Sequence, residues 1–299
     1  MRIVVTGVTG QVGSALVVPL GKIGTVVPAD RALLNLVEPH QIPSVLDRLA
    51  PDLIVNPAAY TAVDRAEDER ELAFLVNAEA PGVIAHWAAE REIPLVHFST
   101  DYVFDGQGAE PWHEDSPTGP LSTYGASKLA GETLIREACG PHLIIRTSWV
   151  YAARGNNFLR TIARLARERS ELKIVADQFG SPTSARLIAE TVAAVLASST
   201  GNLRERFAEA HGCLNVAAAD ETSWHGLACA IVEGLRSRDV RLAVQSVLPL
   251  RTEEYPTKAR RPHNSRFDLR RLWDLFRIAT PSWREALEPE LDQLAQEMR

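Results

Sequence analysis

Arg2-Ile3-Val4-Val5-Thr6-Gly7-Val8-Thr9-Gly10-Gln11-Val12-Gly13-Ser14-Ala15-Leu16 is the stretch that decides the fold. The β-branched run from Ile3 to Val5 reads as a short strand buried on both faces. Gly7, Gly10 and Gly13 follow it, and the apolar spacing from Gln11 to Leu20 reads as a helix. In a strand–turn–helix unit one glycine permits the tight turn. Another lets backbone approach a pyrophosphate, and a third allows close helix–sheet packing. The helix N-terminus adds free N–H groups and the positive end of a dipole, so the unit suits the phosphates of a dinucleotide. The placement between strand and helix carries this reading, because a lone glycine string is weak.

Outward from that unit the same alternation repeats. Short apolar runs at 25–28, 53–55, 95–98 and 143–145 read as strands, and 42–49, 72–89 and 124–139 read as helical. Such alternation requires crossover connections and hence a parallel sheet with helices on both faces, an α/β fold of the Rossmann, doubly wound kind. Helices are also expected near 158–167, 185–196 and 224–235. Between them lie loops rich in Gly, Pro, Ser and Asn, such as 178–184 and 255–265, expected to close over ligands at the strands' carboxyl ends. The division expected is a dinucleotide-binding domain over 1–150 and mainly a smaller C-terminal substrate-binding lobe over 151–299, with segments of the second half returning to the first.

A formal charge of −6 offers no basic footprint for nucleic acid or anionic lipid. Cys139, Cys213 and Cys229 are odd in number and widely spaced, which predicts buried free thiols rather than a disulfide framework or a metal site. Neither a signal peptide nor a membrane span is visible, so a cytoplasmic location is expected. The acidic stretch 67–71 reads as a solvated helix face. His97, inside an apolar strand, reads as a hydrogen-bonded core histidine with no second histidine at metal spacing. Trp273 and Trp283 are expected to serve packing.

Candidate chemistry sits at two places. Asp30 ends the second strand, where a carboxylate can hold a ribose hydroxyl, which favours NADH. Arg31 beside it can pair with a 2′-phosphate, which leaves NADPH open. Tyr124 and Lys128, at i and i+4, share one helix face, and an ammonium near the phenol is expected to lower its pKa. A tyrosine so tuned can protonate a carbonyl oxygen as hydride reaches the carbon. Ser99 and Thr100 close the fourth strand, and one of the two hydroxyls is expected to face the crevice.

Taken together the motifs resemble the dTDP-4-dehydrorhamnose reductase family of extended short-chain dehydrogenases/reductases. The resemblance runs nearly end to end through Gly10-Gln11-Val12-Gly13, Asn56 to Asp64, Ser99 to Gly106, Tyr124 to Gly131 and Arg146 to Tyr151. It continues in Asn156-Asn157-Phe158, Asp177 to Thr183 and Arg261 to Arg266. It implies a catalytic triad of Thr100, Tyr124 and Lys128, and so chooses Thr100 over Ser99. It implies Gln11 and Val12 at the pyrophosphate and Asp30, Asn35 and Leu36 at the adenosine. Ala58, Ala59 and Thr61 would line the cofactor further on, with Tyr124 and Lys128 at the nicotinamide ribose. Thr100, Asp101 and Trp149 would contact the sugar nucleotide. The reaction implied is reduction of a dTDP-linked 4-keto-6-deoxysugar by NADPH or NADH, yielding a polysaccharide precursor.

Two departures stand out. Some relatives dimerise through Mg²⁺ held by acidic residues, and the matching positions here are Ala15 and Arg186, which are no ligands for a hard cation. A monomer, or a weak homodimer without a bridging metal, is therefore expected. Asn35 stands where an aspartate is usual. Arg261 and Arg266 are candidates for the diphosphate or for surface ion pairs. Two other functions compete. One is a nucleotide-sugar dehydratase or epimerase, although Thr100-Asp101-Tyr102 lacks the glutamate a dehydratase uses as base. The other is a non-catalytic nucleotide-binding subunit resembling that of methionine adenosyltransferase.

Overall fold

Alternate residues of the central strands point into two separate cores, which is what places helices on both faces of the sheet. In the computed structural model, which describes residues 1–199 and 201–298, the sheet is formed by β1 (Arg2–Thr6), β2 (Thr25–Ala29), β3 (Leu53–Asn56), β4 (Leu95–Thr100), β5 (His142–Thr147) and β6 (Cys213–Asn215). Their order is β6-β5-β4-β3-β1-β2, all parallel. Ile3, Val5, Leu53, Val55, Val96, Phe98, Leu143 and Ile145 face one core, and Val4, Ile54, Leu95 and Ile144 the other. This is the period of two that strands impose, here with both faces apolar.

The first core is covered by α1 (Gln11–Leu20), and the second by α2 (Ile42–Leu49), α3 (Ala80–Glu90) and α4 (Thr123–Glu137). α5 (Phe158–Glu168) lies outside the sheet. α6 (Ala185–Ser198) comes from the second half of the chain, yet Ile188, Val192 and Leu196 pack beside Leu16 and Leu20 of α1. β6 likewise returns to extend the sheet beside β5. A third core joins α5, α7 (Trp224–Arg236) and α8 (Trp283–Met298) through Leu159, Ile162, Leu227, Ile231, Leu287 and Leu291. The loop at 178–184 contributes a strand to a three-stranded sheet with 222–223 and 264–265, so part of it is regular structure.

Other details differ from the sequence reading for local reasons. The helical stretch from residue 72 is interrupted by a π-helical turn, Leu75–Glu79, just before Pro81, which has no N–H to continue an α-helical ladder. Cys213 is buried, but Cys139 is exposed, because α4 ends at Glu137 and Cys139 turns off it at φ 57°. Trp283 is buried as expected. Trp273 is half exposed, since Leu272 and Phe276 supply the inward face of its short helix and leave the indole under Arg277. Among the described residues no helix is long and apolar enough to cross a membrane.

Candidate active site

The order of the sheet reverses at β1, so the crevice opens between the carboxyl ends of β1 and β3. Gly7 stands there with φ +55°, and a Cβ on it would lie 2.8 Å from Ala58 Cα. A Cβ on Gly13 would lie 2.1 Å from the Gly7 carbonyl oxygen. Both positions therefore need glycine, and together they form a cradle against which a diphosphate can lie. The first turn of α1 carries no acidic residue, so its N-terminal N–H groups face an anion without competition.

A cleft of about 520 Å³ runs from this turn to the end of β4. Gly7, Gly10, Gln11, Val12, Gly13, Ala58, Ala59 and Thr61 line one end, and Thr100, Asp101, Tyr124, Lys128 and Trp149 the other. Asp30, Asn35 and Leu36 do not line it. Asp30 follows Ala29, which pairs with Thr6, so it sits level with the glycine turn. Its Oδ1 accepts from the N–H groups of Ala32 and Leu33 at 3.0 Å each. Asn35 Oδ1 accepts from Val37 N–H at 3.2 Å. Leu36 is buried in the second core.

At the reacting end Thr100 Oγ1 donates to Asp101 Oδ1 at 2.9 Å, and Ser265 Oγ donates to Asp101 Oδ2. Burial pushes the Asp101 carboxyl up to about 6, against the pull of these hydrogen bonds. Burial likewise raises the Tyr124 phenol well above its ordinary value, opposed by its hydrogen bond with Thr100. Lys128 was expected to hold that phenol low. Here its Nζ instead lies 3.1 Å from His97 Nε2, and burial lowers the Lys128 ammonium to about 8. Thr100, not Ser99, is the hydroxyl that reaches Tyr124.

Several supports escaped the sequence. Glu67, assigned to a solvated face, accepts from Thr123 N–H at 2.8 Å and from Thr123 Oγ1 at 2.9 Å. It thus places a carboxylate at the start of α4, directly before Tyr124. The π-helical turn aims Asn77 inward, where Nδ2 donates to the Tyr60 carbonyl and to Ser127 Oγ at 3.0 Å each. Trp149 adopts φ +48°, an uncommon conformation for a bulky residue. Its ring stacks on Trp224 at 3.6 Å, and a Cβ on Gly180 would lie 2.7 Å from it. Trp224 was visible only as a helix start. Nothing in its neighbourhood of sequence points to Trp149.

Trp224 and Arg261 also line a second cleft of about 390 Å³, with Phe158, Ile162, Leu165, Arg169, Lys173 and Tyr255. Arg261 bonds Asp64 at 2.6 Å and Tyr102 Oη at 3.2 Å. Arg266 lines neither cleft and pairs with Glu221. Arg186 Nε lies 3.0 Å from Glu290 Oε1, and among the described residues no group of three His, Cys, Asp or Glu is set to hold a metal ion.

The family model described as the RmlD substrate binding domain matches residues 1–296. The chain is 48% identical over 293 residues to dTDP-4-dehydrorhamnose reductase of Burkholderia thailandensis, covering 96% of this chain and 97% of that one. The chain belongs to the dTDP-4-dehydrorhamnose reductase family. The solved reductase of Clostridium acetobutylicum superposes with a TM-score of 0.88 at 33% identity, covering 98% of this chain and 99% of that one. The Bacillus anthracis reductase, solved in complex with NADP, does so with a TM-score of 0.87 at 35% identity and the same coverage.

Proposed function

We propose that this chain reduces the 4-keto group of dTDP-4-dehydro-6-deoxy-L-mannose with NADPH, giving dTDP-L-rhamnose. The observation that carries the reading is the convergence of Thr100, Tyr124 and Lys128 on one cleft that begins at the glycine cradle. Gly7, Gly13 and the N-terminus of α1 would hold the diphosphate of NADPH, which supplies hydride to the ketone carbon. Thr100 and Tyr124 hold the ketone oxygen, and Tyr124 gives it the phenolic proton. High phenol pKa keeps that proton in place at neutral pH. Below about pH 8 the Lys128 ammonium offsets the phenolate left behind.

Trp149 offers a flat face for the sugar, held by Trp224 from one side. The adjoining cleft, apolar with Arg169, Lys173 and Arg261 at hand, suits a base and a diphosphate. The dehydratase alternative fares worse: the residue after Asp101 is Tyr102, whose hydroxyl is engaged by Arg261. A purely regulatory subunit has no use for a buried proton donor beside a dinucleotide cradle. Purified protein given dTDP-4-dehydro-6-deoxy-L-mannose and NADPH is expected to oxidise the cofactor at one equivalent per ketone. No oxidation by a folded protein refutes the assignment. The same protein is a monomer or a weak homodimer in the cytoplasm, with the Arg186–Glu290 pair in place of a bridging metal, so a chelator leaves rate and size unchanged.

The cofactor's phosphate falls to Arg31, exposed beside Asp30. Arg31→Ala is expected to raise KM for NADPH about tenfold, the worth of one charge-assisted contact, with KM for NADH little changed. An equal effect on both cofactors removes Arg31 from phosphate recognition.

A further inference from the structure

His97 is wholly buried in β4, and no step above uses it. Its two ring nitrogens are both engaged: Nε2 lies 3.1 Å from Lys128 Nζ, and Nδ1 lies 3.1 Å from the Asn56 amide nitrogen. The other end of that amide lies 2.5 Å from Thr6 Oγ1, which also accepts from Ala58 N–H at 3.3 Å. A continuous chain thus runs across the carboxyl ends of β1, β3 and β4, from the cofactor-lining backbone at Ala58 to Lys128.

We propose that His97 and Asn56 are positioning residues for Lys128, which keep its ammonium form available by presenting a bare Nε2 to accept from Nζ. The argument is one of donors and acceptors. An ammonium has only donors, and a neutral imidazole has one donor nitrogen and one acceptor. Lys128 as ammonium therefore requires the proton of His97 on Nδ1, and Nδ1–H requires an acceptor. In the structure the Asn56 amide nitrogen faces Nδ1 and its Oδ1 accepts from Thr6 Oγ1. A half-turn of that amide supplies the acceptor, bringing Oδ1 to His97 and NH₂ to the Thr6 hydroxyl, which both donates and accepts. With Lys128 as free amine the same heavy atoms serve in reverse. Nε2–H donates to Nζ, Asn56 NH₂ donates to Nδ1, and Thr6 donates to Oδ1. A leucine at 97 or 56 breaks this pairing. An Asp at 56 locks it in the first arrangement.

His97 itself stays neutral throughout, because burial, and then the neighbouring Lys128 charge, hold its pKa well below the ordinary value. Other ionisable groups near Lys128 are accounted for. On α4 they are Tyr124 and Glu132, the latter bonded to Arg146 of β5. Past the end of β4 come Asp101 and Tyr102. On the segments packed against α4, Glu67 is held by Thr123, while Glu79, His86 and Glu90 are exposed.

This inference deepens the proposed reaction and rests on it for its meaning, but its test has a first readout that needs no turnover. The chain has four lysines, Lys22, Lys128, Lys173 and Lys258. With ¹³C-labelled lysine the Cε resonance of Lys128, assigned by its loss in Lys128→Met, can be titrated in the ligand-free protein. The wild type is expected to titrate near 8. His97→Leu moves the midpoint down by about one unit, His97→Gln restores it through its amide oxygen, and Asn56→Asp moves it up by about one unit. The alkaline limb of kcat shifts in step, so His97→Leu loses about fivefold at pH 8 and little at pH 6. An unmoved midpoint in folded His97→Leu overturns the proposal, as does an equal activity loss at every pH. Should the leucine variant not fold, Asn56→Asp decides: a midpoint that fails to rise has the same consequence. A protein that shows these midpoints but no reduction of the sugar nucleotide refutes the proposed reaction and leaves the pairing intact.

Discussion

Tyr124→Phe is expected to lower turnover by about 10²–10⁴-fold, the usual loss when a general acid is removed. The phenyl ring keeps the edge-to-face contact with Tyr102, whose ring centroid is 5.5 Å away, so the cleft retains its shape. On the proposed reaction, what disappears is the proton for the ketone oxygen, together with the hydrogen bond to Thr100. Tyr102 lines the same cleft, but its hydroxyl is oriented by Arg261, from which it accepts at 3.2 Å. The loss should fall on kcat with substrate KM little altered, because proton transfer belongs to the transition state. Steady-state rates of wild type and variant at pH 7 measure this. A variant within about threefold of wild type would take Tyr124 out of the reaction.

The parts of this site that sequence reveals are those in which backbone pattern and chemistry coincide. Gly7 and Gly13 are legible because a helix must start within a few residues of a strand, and only glycine survives the approach of Ala58 and of the Gly7 carbonyl. Tyr124 and Lys128 are legible as an i, i+4 pair on one helix. Lys128's partner is not, since His97 comes from a strand and is itself held by Asn56 of the neighbouring strand, through the register of β3 with β4 in which Asn56 lies opposite His97. The same holds for Glu67 and Thr123, separated by 56 residues along the chain. The expectation for the Tyr124 phenol went wrong for a related reason. Charge proximity is readable from i, i+4 spacing, but the depth of burial that outweighs it depends on what the rest of the chain packs around the ring.

Glu132→Gln is expected to destabilise the protein by about 3–5 kcal/mol, the cost of leaving one member of a buried ion pair without its partner. Glu132 sits one turn beyond Lys128 on α4, fully buried, and Arg146 of β5 grips it with Nε at 2.9 Å and Nη2 at 2.6 Å. Arg146 is held further by the Glu114 carbonyl at 2.8 Å and by the Phe104 ring. Burial alone would raise the Glu132 carboxyl, but the hydrogen bonds and charge of Arg146 outweigh it and hold the pKa below the ordinary value. A depressed carboxyl contributes stability that is complete above its unfolded pKa and is lost as pH falls through the folded one. The wild type should therefore lose this contribution in acid, while Glu132→Gln, with nothing left to protonate, should show a flatter acid limb. Urea unfolding at pH 7 and at pH 4 reads both quantities. Joint replacement by Glu132→Leu and Arg146→Met should recover most of the loss, because it removes the stranded guanidinium along with its partner. A single variant that loses less than about 1 kcal/mol, or a double variant worse than the single, would mean that the pair does not anchor α4 to β5.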